Sequence, residues 1–291
     1  MMNRSLYSVS GFILAFLFGS AIGTTFKSGE LEVFSSAECK CAAEIQQTPT
    51  TPVIPPSANS EVEFSNLKPY DLEFPVSNDL IELFETQGIY RESEVIAKDG
   101  EEWLTLFERG GKYSLELATA NVKKKRTQTF PGNEYDVQLY FKRPGEAIFA
   151  LRLKLGLRPG PVTTLYHRPS QEEIARRGLP IDSMESGYKR DFNLDESWYT
   201  LRVTSGRDTD GNKLGVLVLE DGHTSQVIAT NSEEIIGNLF WVGDLDRDKK
   251  LDLLFDDFNE KGAFVLGLYL SSAAEPRKLV KKVAAFSTAG C

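Results

Sequence analysis

The chain has 291 residues, a formal net charge of −9, and 26% charged against 41% hydrophobic side chains. That is enough chain for one large or two small domains after any leader. The acidic balance argues against general nucleic-acid binding, which needs a cationic face, and fits an exported protein that holds cations.

Arg4 precedes twenty-two uncharged residues, Ser5–Phe26, which end at Lys27. Their apolar heart is Phe12–Phe18, and Ala21-Ile22-Gly23 supplies small residues for cleavage. Residues 1–23 therefore read as a signal peptide or as an uncleaved N-terminal membrane anchor. As a helix the run reaches about 33 Å, enough to cross a bilayer core. Both readings export the rest of the chain to the periplasm or the cell surface. Residues 24–60 read as a disordered tether, with the Pro/Thr-rich run Thr48–Ser60 as an extended spacer. Cys39 and Cys41 sit in this tether, and the remaining cysteine is Cys291. An exported context permits a disulfide from one N-terminal cysteine to Cys291, leaving the other for a partner chain.

From residue 61 onward the pattern is β-rich. Asp79–Gln87 reads as a short helix with Asp79 as N-cap. Ile89–Ala97, Glu102–Glu108 and Tyr113–Ala118 read as a meander of two hairpins, turning at Lys98-Asp99-Gly100 and at Arg109–Lys112. The basic run Lys123–Arg126 reads as a solvated strand edge or loop, or as a contact for an anionic surface. Tyr135–Phe141 and Ala147–Leu155 are strand-like, and Gly156–Val162 is a turn-rich connector. Tyr166–Arg177 holds a second helix candidate, with Ser170 and Glu173 spaced as a capping box. His167 beside it, with Arg168, Arg176 and Arg177 near, reads as a loop histidine by a charged helix face, or as a general base or anion-binding site. Trp198–Thr204, Leu214–Glu220 and Thr224–Thr230 form a three-strand meander. Its first tip carries Asp208, Asp210 and Asn212, a polar turn without the later oxygen ligands of a metal loop. Gly262–Leu270 reads as the last strand, with Ala273–Phe286 packing back as a mixed tail. The expected fold is mainly β: an antiparallel sandwich or open barrel of hairpins, with one or two short helices and a subdivision near 156–187.

The stretch Trp241–Asp257 carries the clearest chemistry. Asp244, Asp246, Asp248, the Lys250 main chain and Asp252 follow the 1, 3, 5, 7, 9 alternation of an oxygen cage, which suits Ca²⁺. Close-spaced carboxylates repel one another unless a cation lies between them. Apolar flanks, Phe240–Val242 before and Leu251–Phe255 after, place the loop at the end of a hairpin.

These residues resemble the calcium loop of FG-GAP and VCBS-type repeats, whose usual form is G-D-x-D-G-D-G-x-x-D-(L/I). The resemblance implies one structural Ca²⁺ held by Asp244, Asp246, Asp248, the Lys250 carbonyl and Asp252. Arg247 and Lys249 stand where that family prefers Gly, which weakens the site or marks it as lapsed. The chain is also similar to bacterial exported proteins with a single such loop near the C-terminus. Loops of this kind occur mostly in adhesive and scaffold proteins, so the resemblance implies a calcium-stabilised binding or structural module. Its partner is a protein or an envelope polymer, and any membrane contact runs through the N-terminal segment. No G-x-S-x-G elbow, H-E-x-x-H, P-loop or strand-linked G-x-G-x-x-G occurs. The enzymatic alternative is an envelope polysaccharide hydrolase with an unidentified carboxylate pair.

Overall fold

Short apolar runs bounded by Gly-, Asp- and Ser-rich turns become strands almost throughout. The computed structural model describes residues 64–67, 81–86, 88–126, 135–153, 156–178, 182–232, 235–257 and 264–288, all within one compact unit spanning Ile54–Cys291. The N-terminal segment 1–23, the tether 24–60 and all three cysteines lie outside the described residues. The first strands are β1 (Phe64–Leu67), β2 (Ile81–Glu85), β3 (Ile89–Arg91), β4 (Glu102–Arg109), β5 (Lys112–Lys125), β6 (Asp136–Phe141), β7 (Glu146–Leu153) and β8 (Gly160–His167). After α1 (Gln171–Arg177), the one α-helix among the described residues, come β9 (Ser183–Glu185), β10 (Lys189–Leu194), β11 (Ser197–Asp208), β12 (Lys213–Glu220) and β13 (Ser225–Asn231). The chain continues through β14 (Ile235–Asp244), β15 (Asp252–Asp257), β16 (Phe264–Leu270) and β17 (Lys281–Thr288).

The fold is mainly β, a nearly closed antiparallel barrel beside a curled sheet. The barrel order is β17-β16-β15-β14-β8-β5-β4-β7-β2, with β6 and β3 continuing from the far end of β5 and β9 pairing β14. Nine strands joined by eight antiparallel pairings leave β17 and β2 pointing the same way. They meet at a seam outside any hydrogen-bonded ladder, where Phe286 packs on Phe84 (ring centroids 4.7 Å apart) and Tyr90 (5.6 Å). In the second sheet β10, β11, β12 and β13 pair antiparallel, and β1 adds parallel to β11.

Strands β14, β15 and β16 form a wall shared by two cores. Phe240, Trp241, Leu254, Leu266 and Leu268 face the barrel core, with Phe149 and Leu106. Leu239, Val242, Leu253, Phe255 and Tyr269 face the second sheet, against Leu201, Val203, Leu217 and Leu219. A register shift between Leu239 and Trp241 is a β-bulge, and it turns both Phe240 and Trp241 toward the barrel. Each fully buried Leu or Phe contributes about 1.5–3 kcal/mol of transfer free energy, so the wall's two apolar faces hold the sheets together. No helix among the described residues is long and apolar enough to cross a membrane.

Several elements differ from expectation. Asp79–Gln87 is not a helix: Ile81–Glu85 is β2, paired with β7. Leu83, Phe84 and Glu85 are buried in succession, so both faces are covered and tertiary pairing overrides helix propensity. Of Ile89–Ala97 only β3 is strand, and it pairs β6 rather than β4. A 3₁₀ turn at Glu92–Glu94 ends it, with the Glu94 carboxylate accepting from the Arg91 N–H (2.8 Å). The run Gly156–Val162 is more than a connector, because β8 begins at Gly160 and joins the two halves of the barrel. The tail contains a full strand, β17, paired with β16. Helix α1 starts where the cap spacing placed it: Ser170 Oγ accepts from the Glu173 N–H (3.2 Å), and Gly178 closes it in the left-handed region. Tyr166 and His167 belong to β8 instead. The meander of β11, β12 and β13 follows the expected strands closely.

Candidate metal centre

The loop Leu245–Leu251 joins β14 to β15 at one end of the shared wall. Two leucines clamp it: Leu245 is buried in the barrel core and Leu251 in the second core. Gly243, just before it, lies where β14 presses on β8. A Cβ there would overlap the Thr163 carbonyl and stand 2.6 Å from the Trp241 ring. Trp241 is itself pinned, its Nε1–H donating to Thr164 Oγ1 (3.0 Å).

Asp244 ends β14 and Asp252 starts β15, and both carboxylates are buried. With Asp246 they form an acidic triad whose oxygens lie within 4.8 Å of one another. Asp248 stands outside that group. Its Oδ1 accepts from the Lys250 N–H (2.9 Å) and from Ser271 Oγ (3.1 Å). Lys250 supplies the exposed turn residue before Leu251, and its side chain is not needed for a main-chain ligand. Arg247 and Lys249 adopt φ values of 66° and 67°. These are the left-handed conformations that glycine takes freely and that curl a loop around its centre.

The cage draws its hydrogen bonds from neutral groups. Asp244 accepts from the Asp248 and Lys249 N–H groups (3.1 Å each), and Asp252 Oδ2 from the Leu245 N–H (2.8 Å). A strap after β16 reaches in from the side: Ser271 donates its N–H (2.8 Å) and its hydroxyl (2.9 Å) to Asp252 Oδ1, and Ser272 Oγ donates to Asp246. The two cations at the left-handed positions turn away. Arg247 donates to the carbonyls of Arg158 (2.6 Å) and Pro159 (3.3 Å), and Lys249 pairs with Asp195 (3.1 Å). Burial, with Asp246 nearby, pushes Asp252 up to about 8, and burial also raises Asp244. The carboxylates are costly to ionise as they stand, and an all-oxygen set suits a hard divalent cation. Ser271 and Ser272 were not found by sequence reading. Two hydroxyls after an apolar strand carry no signal until β16 is placed beside β15.

The other acidic tip is satisfied by its own turn. Asp208 Oδ1 accepts from the Asp210 and Asn212 N–H groups, and Oδ2 from Asn212 Nδ2, all at 2.8 Å. His167 ends β8 with Nδ1 2.9 Å from Tyr113 Oη, and burial lowers its pKa. At the barrel end away from the loop, two further carboxylates are buried. Glu85 accepts from Tyr90 Oη, and Asp256 Oδ2 accepts from Asn238 Nδ2 (3.2 Å). No family model matches the chain, and neither a curated protein nor a solved structure is found similar to it.

Proposed function

We propose that the protein is an exported β-module stabilised by one Ca²⁺ in the β14–β15 loop, and that it binds a partner protein or an envelope polymer. One observation carries the metal reading. Three carboxylates converge within 4.8 Å, and their hydrogen-bond partners include no basic side chain. Asp244, Asp246 and Asp252 would hold the ion. Asp248 and the Lys250 carbonyl complete the ligand set that the FG-GAP resemblance implies. Bound calcium neutralises the triad and ties the hairpin end to the Ser271–Ser272 strap. The role is structural, because both leucine clamps and the strap already hold the loop in place. The uncharged N-terminal run supports export, where calcium is plentiful enough for an extracellular-type site with a Kd on the order of 0.1–1 mM.

Thermal unfolding of the full-length protein with calcium and with chelator tests this. At about 10 mM calcium, selective binding to the native state adds roughly 1.5–3 kcal/mol. For a chain of this size that raises Tm by about 3–8 °C. Asp244→Asn and Asp252→Asn should abolish the shift. An unchanged Tm would leave the loop as an acidic turn.

A further inference from the structure

Strand β5 is fourteen residues long and does two jobs. Its first half pairs β4 and β8 in the barrel, while its last six residues pair only β6, which in turn pairs β3. Along this arm Ala118, Ala120 and Val122 turn toward the barrel core. The alternating positions Leu117, Asn121, Lys123 and Lys125 line the opposite face. Cross-strand pairing sets Tyr140 beside Asn121, Gln138 beside Lys123, and Ile89 beside Gln138. Large apolar side chains stand open here: Leu117 is 47%, Ile89 46% and Tyr140 44% exposed. Lys123 Nζ lies 4.7 Å from the Tyr140 ring centroid, and Tyr140 Oη donates to Gln138 Oε1 (2.6 Å). Arg143 is fixed at the other end by donating to the Leu117 carbonyl (3.2 Å).

Charge is concentrated in the same place. Residues 89–91, 117–126 and 135–143 contain seven cationic side chains against one carboxylate, in a chain whose net charge is −9. That carboxylate, Asp136, is buried. Lys124 pairs with Glu92 and Arg143 lies within electrostatic reach of Glu116, while Lys123, Lys125, Arg126 and Lys142 are exposed. From Leu117 to Lys125 the strip runs about 26 Å at strand rise, with cations recurring about every 7 Å toward its end.

We propose that this arm is the binding face of the module and that its occupant is an anionic polysaccharide. Lys123, Lys125 and Arg143 would meet the polymer's acidic groups, while Ile89, Leu117 and Tyr140 would cover the apolar faces of its rings. Charge complementarity and the linear strip both favour an extended polyanion. A membrane is a poorer fit, because Tyr140 is held by Gln138 and Lys123 and the apolar residues stand singly rather than as an inserting wedge. The proposal deepens the exported-module reading by naming its partner class, and it does not require the calcium site.

The test uses the full chain with hyaluronan and heparin as acidic probes and dextran as the neutral control. Binding is measured in chelator, so that calcium cannot bridge polymer and protein. Retention on the acidic polymers at about 50 mM NaCl should fall at least roughly tenfold by about 300 mM, as screening predicts. The double substitution Lys123→Glu/Lys125→Glu should weaken binding about tenfold with Tm unchanged, and Tyr140→Ser about threefold. Lys123→Gln/Lys125→Gln should lie between, which separates lost attraction from a folding defect. Binding that survives the double substitution overturns the proposal, as does absence of binding at low salt. Equal or stronger retention on single-stranded DNA or anionic vesicles would assign another partner class and also overturn it. Low-salt self-association lost in the same variants would make a second, acidic copy of the chain the occupant. The calcium shift in Tm, read on the same samples, stands or falls separately.

Discussion

Lys249 and Arg247 hold backbone angles that cost a non-glycine residue about 1–2 kcal/mol each. Arg247 recovers part of this through two carbonyl acceptors at 158 and 159, while the Lys249 side chain makes a surface ion pair with Asp195. Lys249→Gly should therefore raise stability by roughly 0.5–1 kcal/mol after the added freedom of the unfolded chain is subtracted. Chemical denaturation measures it, and a loss of stability would show that the Asp195 pair matters more than the strain. Asp256 offers a second single-residue test. Burial raises it to about 6, while the Asn238 hydrogen bond and Arg168 act in the opposite direction. Its unfolded value is about 3.9, so the native state binds the proton more tightly. The stability this adds is complete below pH 4 and is lost as pH rises through 6. The full swing is on the order of 2–3 kcal/mol. Asp256→Asn should flatten that portion of the profile, seen as the difference between wild-type and variant Tm across pH 4–8.

At the level of elements, the β14–β15 hairpin is set by a close approach at one side and a strap at the other. Gly243→Ala would push β14 off the Thr163 carbonyl and should cost about 2–3 kcal/mol, with weaker calcium stabilisation because Asp244 follows directly. Ser271→Ala removes a hydroxyl from buried Asp252 and should cost the calcium-free protein about 1–2 kcal/mol. The calcium shift should survive, since Ser271 is not a carboxylate ligand; loss of the shift would make the strap part of the coordination shell. The hairpin was legible in advance because its signal is local: alternating aspartates between two apolar runs. The β11–β13 meander was legible for the same reason, each strand being bounded by its own turn. Other elements depend on distant partners. The run around Leu83 and Phe84 fits a helix as well as a strand until β7 lies beside it. Gly160–His167 opens with Gly-Pro and reads as a turn until β5 and β14 flank it. The Lys281–Thr288 segment carries no clean alternation, and a register shift between Leu268 and Tyr269 accommodates it against β16. The strap serines were invisible because their contact with Asp252 depends on β16 lying beside β15, a long-range pairing without a local signal.

For the molecule as a whole, the shared wall makes the barrel and the second sheet interdependent. Leu253 and Leu254 are neighbours facing opposite cores, so truncating either to Ala should cost about 2–5 kcal/mol and destabilise both sheets. Hydrogen exchange should report one global opening energy for the central amides of β4 and β12. Much faster exchange in β12 would show that the second sheet opens alone. The seam between β17 and β2 behaves differently under mechanical load. Strand β17 is bonded along one edge to β16 and packs on β2 without a hydrogen-bonded ladder, with Phe286 against Phe84. Traction on the C-terminal side of β17 meets one ladder and the packing of Phe286 on Phe84 and Tyr90, whereas β14 and β15 are braced on both edges. Under such a pull β17 peels before the β14–β15 hairpin, so the barrel would yield in stages.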